Sequence, residues 1–174
     1  MSADIVVRDV TVDDAAGIVS ILNPIIQAGV YTSFDTPLSE QDEREFIKRF
    51  PRRGIWKVAT TRDHRVLGFQ VVEPFATYTG AFNHVGTFGT YVDLDRRRQG
   101  IASRLFDATF AAARLQGYEK FFTFVRADNN AALQAYAKHG FAIVGTARRH
   151  AKIRGQYIDE ILIERWLDPE MVDR

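Results

Sequence analysis

The residue pattern predicts a mixed α/β domain in the order βααβββαβαββ, with one sheet separating pairs of helices. Three observations carry that reading. Runs rich in β-branched and aromatic residues recur at Ile55–Thr61, Val66–Phe75, Val85–Leu94 and Phe121–Val125, and again in the pair Phe141–Ala147 and Tyr157–Trp166. Apolar residues at helical spacing separate them, most clearly Ile101, Leu105, Ala108, Ala112 and Leu115, whose gaps alternate four and three. Turn chemistry punctuates the boundaries, with Asp63-His64, Gly117, Gly140 and Arg154-Gly155 each falling between two periodic segments.

The N-terminal elements are read as follows. Ile5, Val7 and Val10 suggest a first strand. Thr11 followed by Asp13-Asp14 starts a helix through Ala15, Ile18, Val19 and Leu22, and Pro24 marks its break. Residues 27–38, with Gly29, Thr32, Ser33 and Pro37, read as a loop. Ser39, with Asp42 and Glu43 in the first turn, caps a second helix to about Phe50. Gly86 and Gly89 are unusual inside a strand and mark a bulge or a close approach to a ligand. Asp128-Asn129-Asn130 caps the last helix, through Ala132, Leu133 and Tyr136, and Gly140 ends it with Phe141 placed for a hydrophobic C-terminal contact.

Bulk properties exclude several function classes. The 174 residues, 46% hydrophobic and 26% charged, suit one domain spanning 1–174 with a core of its own, without repeats or linkers. A net charge of +1 offers no global field for nucleic acid or an acidic membrane. Met1-Ser2-Ala3-Asp4-Ile5 lacks the basic and apolar regions of a secretory signal, and no apolar stretch is long enough to span a bilayer, so a cytoplasmic location is expected. The absence of cysteine removes disulfides, thiolate metal sites and a cysteine nucleophile together. The four histidines have no metal-ligand spacing, so no metal is expected.

One segment invites a chemical reading. Arg96 to Gly100 lie between a strand and the most amphipathic helix, where unpaired backbone N–H groups and the helix dipole favour an anion such as pyrophosphate. Gly100 would let the backbone approach phosphates, Ala102 is small, and Arg97 or Arg98 supplies charge. By local chemistry alone the same run is equally a solvated arginine cap. A nucleotide P-loop is a poor alternative, because no Gly-Lys-Ser/Thr follows.

Context separates the two readings. Arg97-x-x-Gly100-x-Ala102 resembles the Arg/Gln-x-x-Gly-x-Gly/Ala signature of the GNAT N-acetyltransferase superfamily, and Asn129-Asn130-Ala131-Ala132, Tyr136 and Gly140-Phe141 resemble its second motif. Asn23-Pro24, Tyr31-Thr32-Ser33-Phe34 and Gly155-Gln156-Tyr157-Ile158-Asp159 are similar to the phosphinothricin acetyltransferase-like branch, which acylates amino-acid-type amines. The resemblance implies a central, mostly antiparallel mixed sheet flanked by helices on both faces. It implies acetyl-CoA as donor, a small-molecule amine as acceptor, and a homodimer. It further implies a cofactor site at Tyr91, Val92, Arg97, Arg98, Gln99, Gly100, Ile101, Ala102, Ser103 and Asn129. A protein or peptide N-acetyltransferase and a non-catalytic acyl-CoA-binding module on the same fold are the competing readings.

Acetyl transfer from a thioester to an amine needs stabilisation of an oxyanion, a proton for the departing thiolate and a base for the ammonium. The resemblance puts the first at a backbone N–H near Tyr91 or Val92, and the second at Tyr136, which otherwise simply packs a helix face. Asn129 is a helix cap by local chemistry and a cofactor contact by resemblance. Some members of the branch carry a glutamate four residues before the tyrosine of the pre-loop strand, where this chain has Thr87. Glu73 is the first substitute and His84 the second. Tyr31, Phe34, Phe75, Tyr78 and Phe82 are expected to enclose the acceptor.

Overall fold

In the computed structural model, residues 5–171 are described; residues 1–4, within the stretch on which the leader expectation rests, lie outside them. The expected order is observed: β1 (Val6–Asp9), α1 (Ala15–Ala28), α2 (Glu40–Lys48), β2 (Ile55–Thr60), β3 (Val66–Pro74), β4 (Val85–Val92), α3 (Ile101–Leu115), β5 (Lys120–Arg126), α4 (Asn130–Lys138), β6 (Ala142–Ile153) and β7 (Gln156–Trp166). The strands form one sheet in the order β1-β2-β3-β4-β5-β7-β6. Its neighbours pair antiparallel except β4 and β5, which run parallel.

Each face is covered by two helices. Ile18, Leu22, Ile25 and Ile26 of α1 pack on Trp56, Val58 and Phe69, joined by Ile47 of α2. On the other face Phe106 and Phe110 of α3 and Tyr136 of α4 pack with Phe141 against Val72, Phe88 and Phe121. Ile101 and Leu105 of α3 sit on Ala59 and Leu67. The stripe of α3 therefore differs from the one the spacing suggests. Phe106, Thr109, Phe110 and Ala113 join Ile101 and Leu105 inside, whereas Leu115 is 90% exposed, because at 100° per residue it falls on the helix side away from that buried stripe.

Two boundaries also moved. Pro24 does not break α1 but lies inside it, and the helix ends four residues later at Ala28, capped by left-handed Gly29. Proline removes one helical N–H, but Asn23 beside it anchors the turn by exchanging two 2.9 Å hydrogen bonds with the backbone of Leu38. Strand β6 continues past Ala147 to Ile153; a register shift between Ala147 and Ala151, with Arg149 at φ 52°, absorbs residues that break the alternating pattern.

The caps follow the sequence closely. Asp14 accepts from the Thr11 amide at 2.7 Å and holds Arg8 through two bonds of 2.7 and 2.8 Å, which fixes the entry to α1. Ser39 caps α2 through the Asp42 amide at 3.1 Å. At the end of α4 the Phe141 amide bonds to the Tyr136 carbonyl at 3.1 Å and that of Gly140 to Ala137 at 3.0 Å. The Phe141 ring then meets Tyr136 edge-on at 5.0 Å, so this cap also positions Tyr136.

Candidate active site

The parallel pair opens almost as soon as it forms. β4 and β5 pair only at Val85–Lys120 and Gly86–Phe121, although β4 continues to Val92. Beyond that point the Thr123 hydroxyl, donating to the Phe88 carbonyl at 2.8 Å, is the remaining bond described between them. Gly86 allows the close start of the pair, since a Cβ there would lie 2.8 Å from Val72 Cγ1 and 3.2 Å from Phe121. The diverging strands open a cavity of about 1250 Å³ that passes from the α3–α4 face to the α1–α2 face.

The register of β4 on β3 decides which backbone groups face this slot. On the β3 side the Val85 carbonyl accepts from the Phe75 amide and the Asp93 amide donates to the Leu67 carbonyl. Alternation along an antiparallel ladder then commits Thr87, Gly89 and Tyr91 to β3 and turns Phe88, Thr90 and Val92 toward the gap. Of the two amides expected to meet a carbonyl, the one on Val92 faces the slot and the one on Tyr91 does not. Tyr91 contributes its side chain instead. The ring stacks on Phe69 at 4.9 Å and burial pushes its hydroxyl up to about 12.

At the far end of β4, the loop before α3 has a backbone geometry that suits an anion. Gly100 is the N-cap of α3 at φ 78°, and Arg98 is also left-handed at φ 61°. The first helical bond runs from the Arg104 amide to the Gly100 carbonyl at 3.2 Å; the amides of Ile101, Ala102 and Ser103 have no acceptor among the described residues. A Cβ on Gly100 would meet nothing within 4 Å, so the space over these amides is open. Arg97, Arg98, Gly100, Ile101, Ala102 and Ser103 all border the cavity, whereas Gln99 turns to solvent and does not. Arg97 lies over the Tyr31 ring at 4.1 Å, which ties the cradle to the α1–α2 loop.

Tyr136 reaches the slot from α4. It is 8% exposed among Phe88, Phe106 and Phe141, and its hydroxyl donates to Thr90 Oγ1 at 3.1 Å. Gln70 Nε2 donates to the same oxygen at 3.1 Å from the other side. Burial, only partly offset by the Thr90 hydrogen bond, raises the phenol well above its ordinary range, so it stays protonated. Asn129 borders the cavity with both ends of its amide engaged: Oδ1 caps α4 through the Ala132 amide at 3.2 Å, and Nδ2 donates to the Tyr31 carbonyl at 3.1 Å.

Glu73 lines the opposite side. In the β3–β4 register it lies directly across from Thr87. The neighbouring strand thus supplies a carboxylate beside the position where some branch members carry theirs, and burial raises its pKa. His84 is not in the cavity; its ring stacks with Trp166 at 6.5 Å. Tyr31 and Phe34 border the cavity as expected, but Phe75, Tyr78 and Phe82 form an edge-to-face group outside it, with Tyr78 83% exposed.

Several cavity residues carry no motif. His139 Nδ1 donates to the Ala135 carbonyl at 2.8 Å, and Nε2 lies 3.2 Å from Ser103 Oγ. Thr90 and Glu43 are among the others, with buried Gln70 behind Thr90, and their only sequence signal is a polar residue inside an apolar run or helix face. Among the described residues no group of three His, Asp or Glu side chains could hold a metal ion, and no helix is long and apolar enough to cross a membrane.

Comparison with known proteins agrees with this geometry. A protein 27% identical over 97% of both chains is the L-methionine sulfoximine/L-methionine sulfone acetyltransferase of Pseudomonas aeruginosa. A second, 24% identical over 94% of this chain and 97% of its own, is the phosphinothricin N-acetyltransferase of Streptomyces coelicolor. The solved phosphinothricin acetyltransferase of Sinorhizobium meliloti, in complex with acetyl-CoA, superposes with a TM-score of 0.84 at 18% identity, covering 95% of this chain and 89% of that one. The model of the acetyltransferase (GNAT) family matches residues 26–141, more than half of the sequence, including the cradle, the divergent strand and the capped Tyr136 helix, and the chain belongs to that family.

Proposed function

We infer that the chain is a single acetyltransferase domain, 1–174, that moves an acetyl group from acetyl-CoA to the primary amine of a small molecule, an amino acid or an analogue of one. The observation that carries this reading is a single cavity joining unpaired amides at the start of α3, a slot-facing amide on β4 and the Tyr136 hydroxyl. The donor fits the site: the open cradle at Gly100 suits a pyrophosphate and the gap between β4 and β5 suits a narrow thioester-bearing arm.

Acetyl-CoA supplies the acyl group activated as a thioester. The amides of Ile101, Ala102 and Ser103, with Arg97 and Arg98 at the rim, hold its phosphates. The Val92 amide faces the position where negative charge develops on the carbonyl oxygen as the amine nitrogen bonds to the acyl carbon. Glu73 takes a proton from the ammonium, directly or through water. Tyr136 gives its proton toward the sulfur as the C–S bond breaks, and the acylated nitrogen loses its surplus proton back to the phenolate or to water. Thr90, turning its own hydroxyl round to donate to the phenolate, with Gln70 behind it, offsets the charge left there. Because the phenol is held well above a thiol's pKa, strong hydrogen-bond donation to the sulfur is a larger part of its role than complete proton transfer.

Curated relatives named for amino-acid analogues support the acceptor class. A cytoplasmic homodimer that engages neither nucleic acid nor membrane completes the proposal, resting on the near-neutral charge and the family resemblance. The test is thiol release from acetyl-CoA against a panel of primary amines, amino acids and peptides. Turnover on free amines but not on peptides is expected. Tight coenzyme A binding without turnover on any amine would make the protein a binding module instead.

A further inference from the structure

The charges of the cavity are divided between its two ends. Arg96, Arg97 and Arg98 belong to the cradle, whereas the α1–α2 end is lined by Asp42, Glu43, Glu73 and Glu160. Arg126, the cation beneath the α1–α2 loop, is already engaged: it donates to both Asp128 oxygens at 2.7 and 2.9 Å and to the Gly29 carbonyl at 2.7 Å. Glu160 is partly satisfied by the Ser33 hydroxyl at 2.5 Å.

Glu43 differs from these carboxylates. It is 4% exposed, sits on α2 in an apolar wall with Leu38, Phe46 and Trp56, and has neither a hydrogen-bond donor nor an ion-pair partner among the described residues. Burial raises its pKa to about 6, so near neutral pH it is an anion without a counter-charge. A buried carboxylate left unpaired in this way is costly, and a helix face offers many cheaper residues for the position. The aromatic rings of Phe34, Phe46, Trp56 and Tyr91 share the same end of the cavity, and ring faces attract cations.

We propose that the acceptor end of the cavity selects an amine carrying a second positive group, an ammonium or guanidinium, which the Glu43 carboxylate and the surrounding rings receive while the reacting amine lies toward Glu73. The inference rests on the transferase reading above, keeps its small-molecule primary amine, and takes the acceptor to be a diamine or a basic amino-acid derivative in place of a neutral amino-acid analogue. A zwitterion would bring a carboxylate into an end of the cavity where four carboxylates face one arginine, Arg126, that is already engaged.

The experiment compares putrescine, n-pentylamine and methionine sulfone as acceptors for wild type and Glu43→Gln. The readouts are kcat/KM by thiol release and, independently, calorimetric affinity for the enzyme saturated with coenzyme A. The expected result is at least a tenfold preference of wild type for putrescine over n-pentylamine, shrinking about tenfold in Glu43→Gln. Equal use of the two amines, or preference for methionine sulfone, overturns the inference. So does an equal loss on all acceptors in Glu43→Gln, which would make Glu43 the base. Glu43-dependent binding of putrescine with no turnover of any amine would instead sink the transferase reading and leave the cation site standing.

Discussion

Replacing Gly100 by alanine separates two roles that the cradle combines. The first is conformational. At φ 78° an L-residue pays about 1–2 kcal/mol, part of which is returned by the lower entropy of the unfolded chain, leaving a net loss of about 1 kcal/mol. For a chain of this length that is a fall in Tm of about 2–4 °C. The second role is spatial. The Cβ would protrude into space that is empty within 4 Å, over amides that have no partner, where the phosphates are expected to sit. Losing one charge-assisted bond costs about 1.5–3 kcal/mol, or roughly ten- to a hundredfold in acetyl-CoA affinity. Gly117 supplies the control. It also has φ 78° and nothing within 4 Å of a Cβ, but it lies past the other end of α3 and outside the cavity. Gly117→Ala should show the same loss in a thermal melt with unchanged acetyl-CoA affinity by calorimetry, and Gly100→Ala should show both. Equal affinities in the two variants would refute the cradle.

The remaining predictions concern the carboxylates and the phenol. Tyr136→Phe should lower kcat by about 10²-fold or more at saturating acetyl-CoA. Its melting temperature should move little, since Gln70 still donates to Thr90; unchanged kcat would remove Tyr136 from the chemistry. In wild type, kcat/KM should rise with pH through the raised Glu73 carboxyl, because the base acts only when ionised. Glu73→Gln should abolish that acidic limb, and a limb that persists in the variant would point to another base. Glu43, with a folded pKa near 6 against about 4.5 unfolded, binds more protons folded than unfolded between those values, so stability falls as pH rises through that window. Glu43→Gln should therefore raise Tm at pH 8 by an amount equivalent to about 2 kcal/mol at most and change it little at pH 4, as read in paired thermal melts. Asp14→Ala should cost about 2–4 kcal/mol by denaturant titration, since it leaves Arg8 and the Thr11 amide without their shared acceptor.

The order of elements, the Gly100 turn into α3, the Asn129 cap and the Gly140-Phe141 stop were all legible in the sequence, because each is fixed by interactions within a few residues. Where the reading failed, distant contacts were in control. Pro24 sits inside α1 beside Asn23, which is tied to Leu38, and Leu115 is exposed because the sheet takes up the Phe106–Phe110 side of α3 instead. Gln99 and His84 have chemically suitable side chains that point away from the cavity. The tertiary structure alone could choose Val92 over Tyr91, since that choice depends on strand register, and a shift of one residue would reverse it. It also set Glu73 opposite Thr87 and brought the unpaired Glu43 of α2 into the wall of a cavity formed between β4 and β5. The donor end of this site is built mainly from one continuous segment and can be read along the chain. The acceptor end is assembled from α1, α2, β2, β3 and β7, and no local pattern records which of their side chains meet.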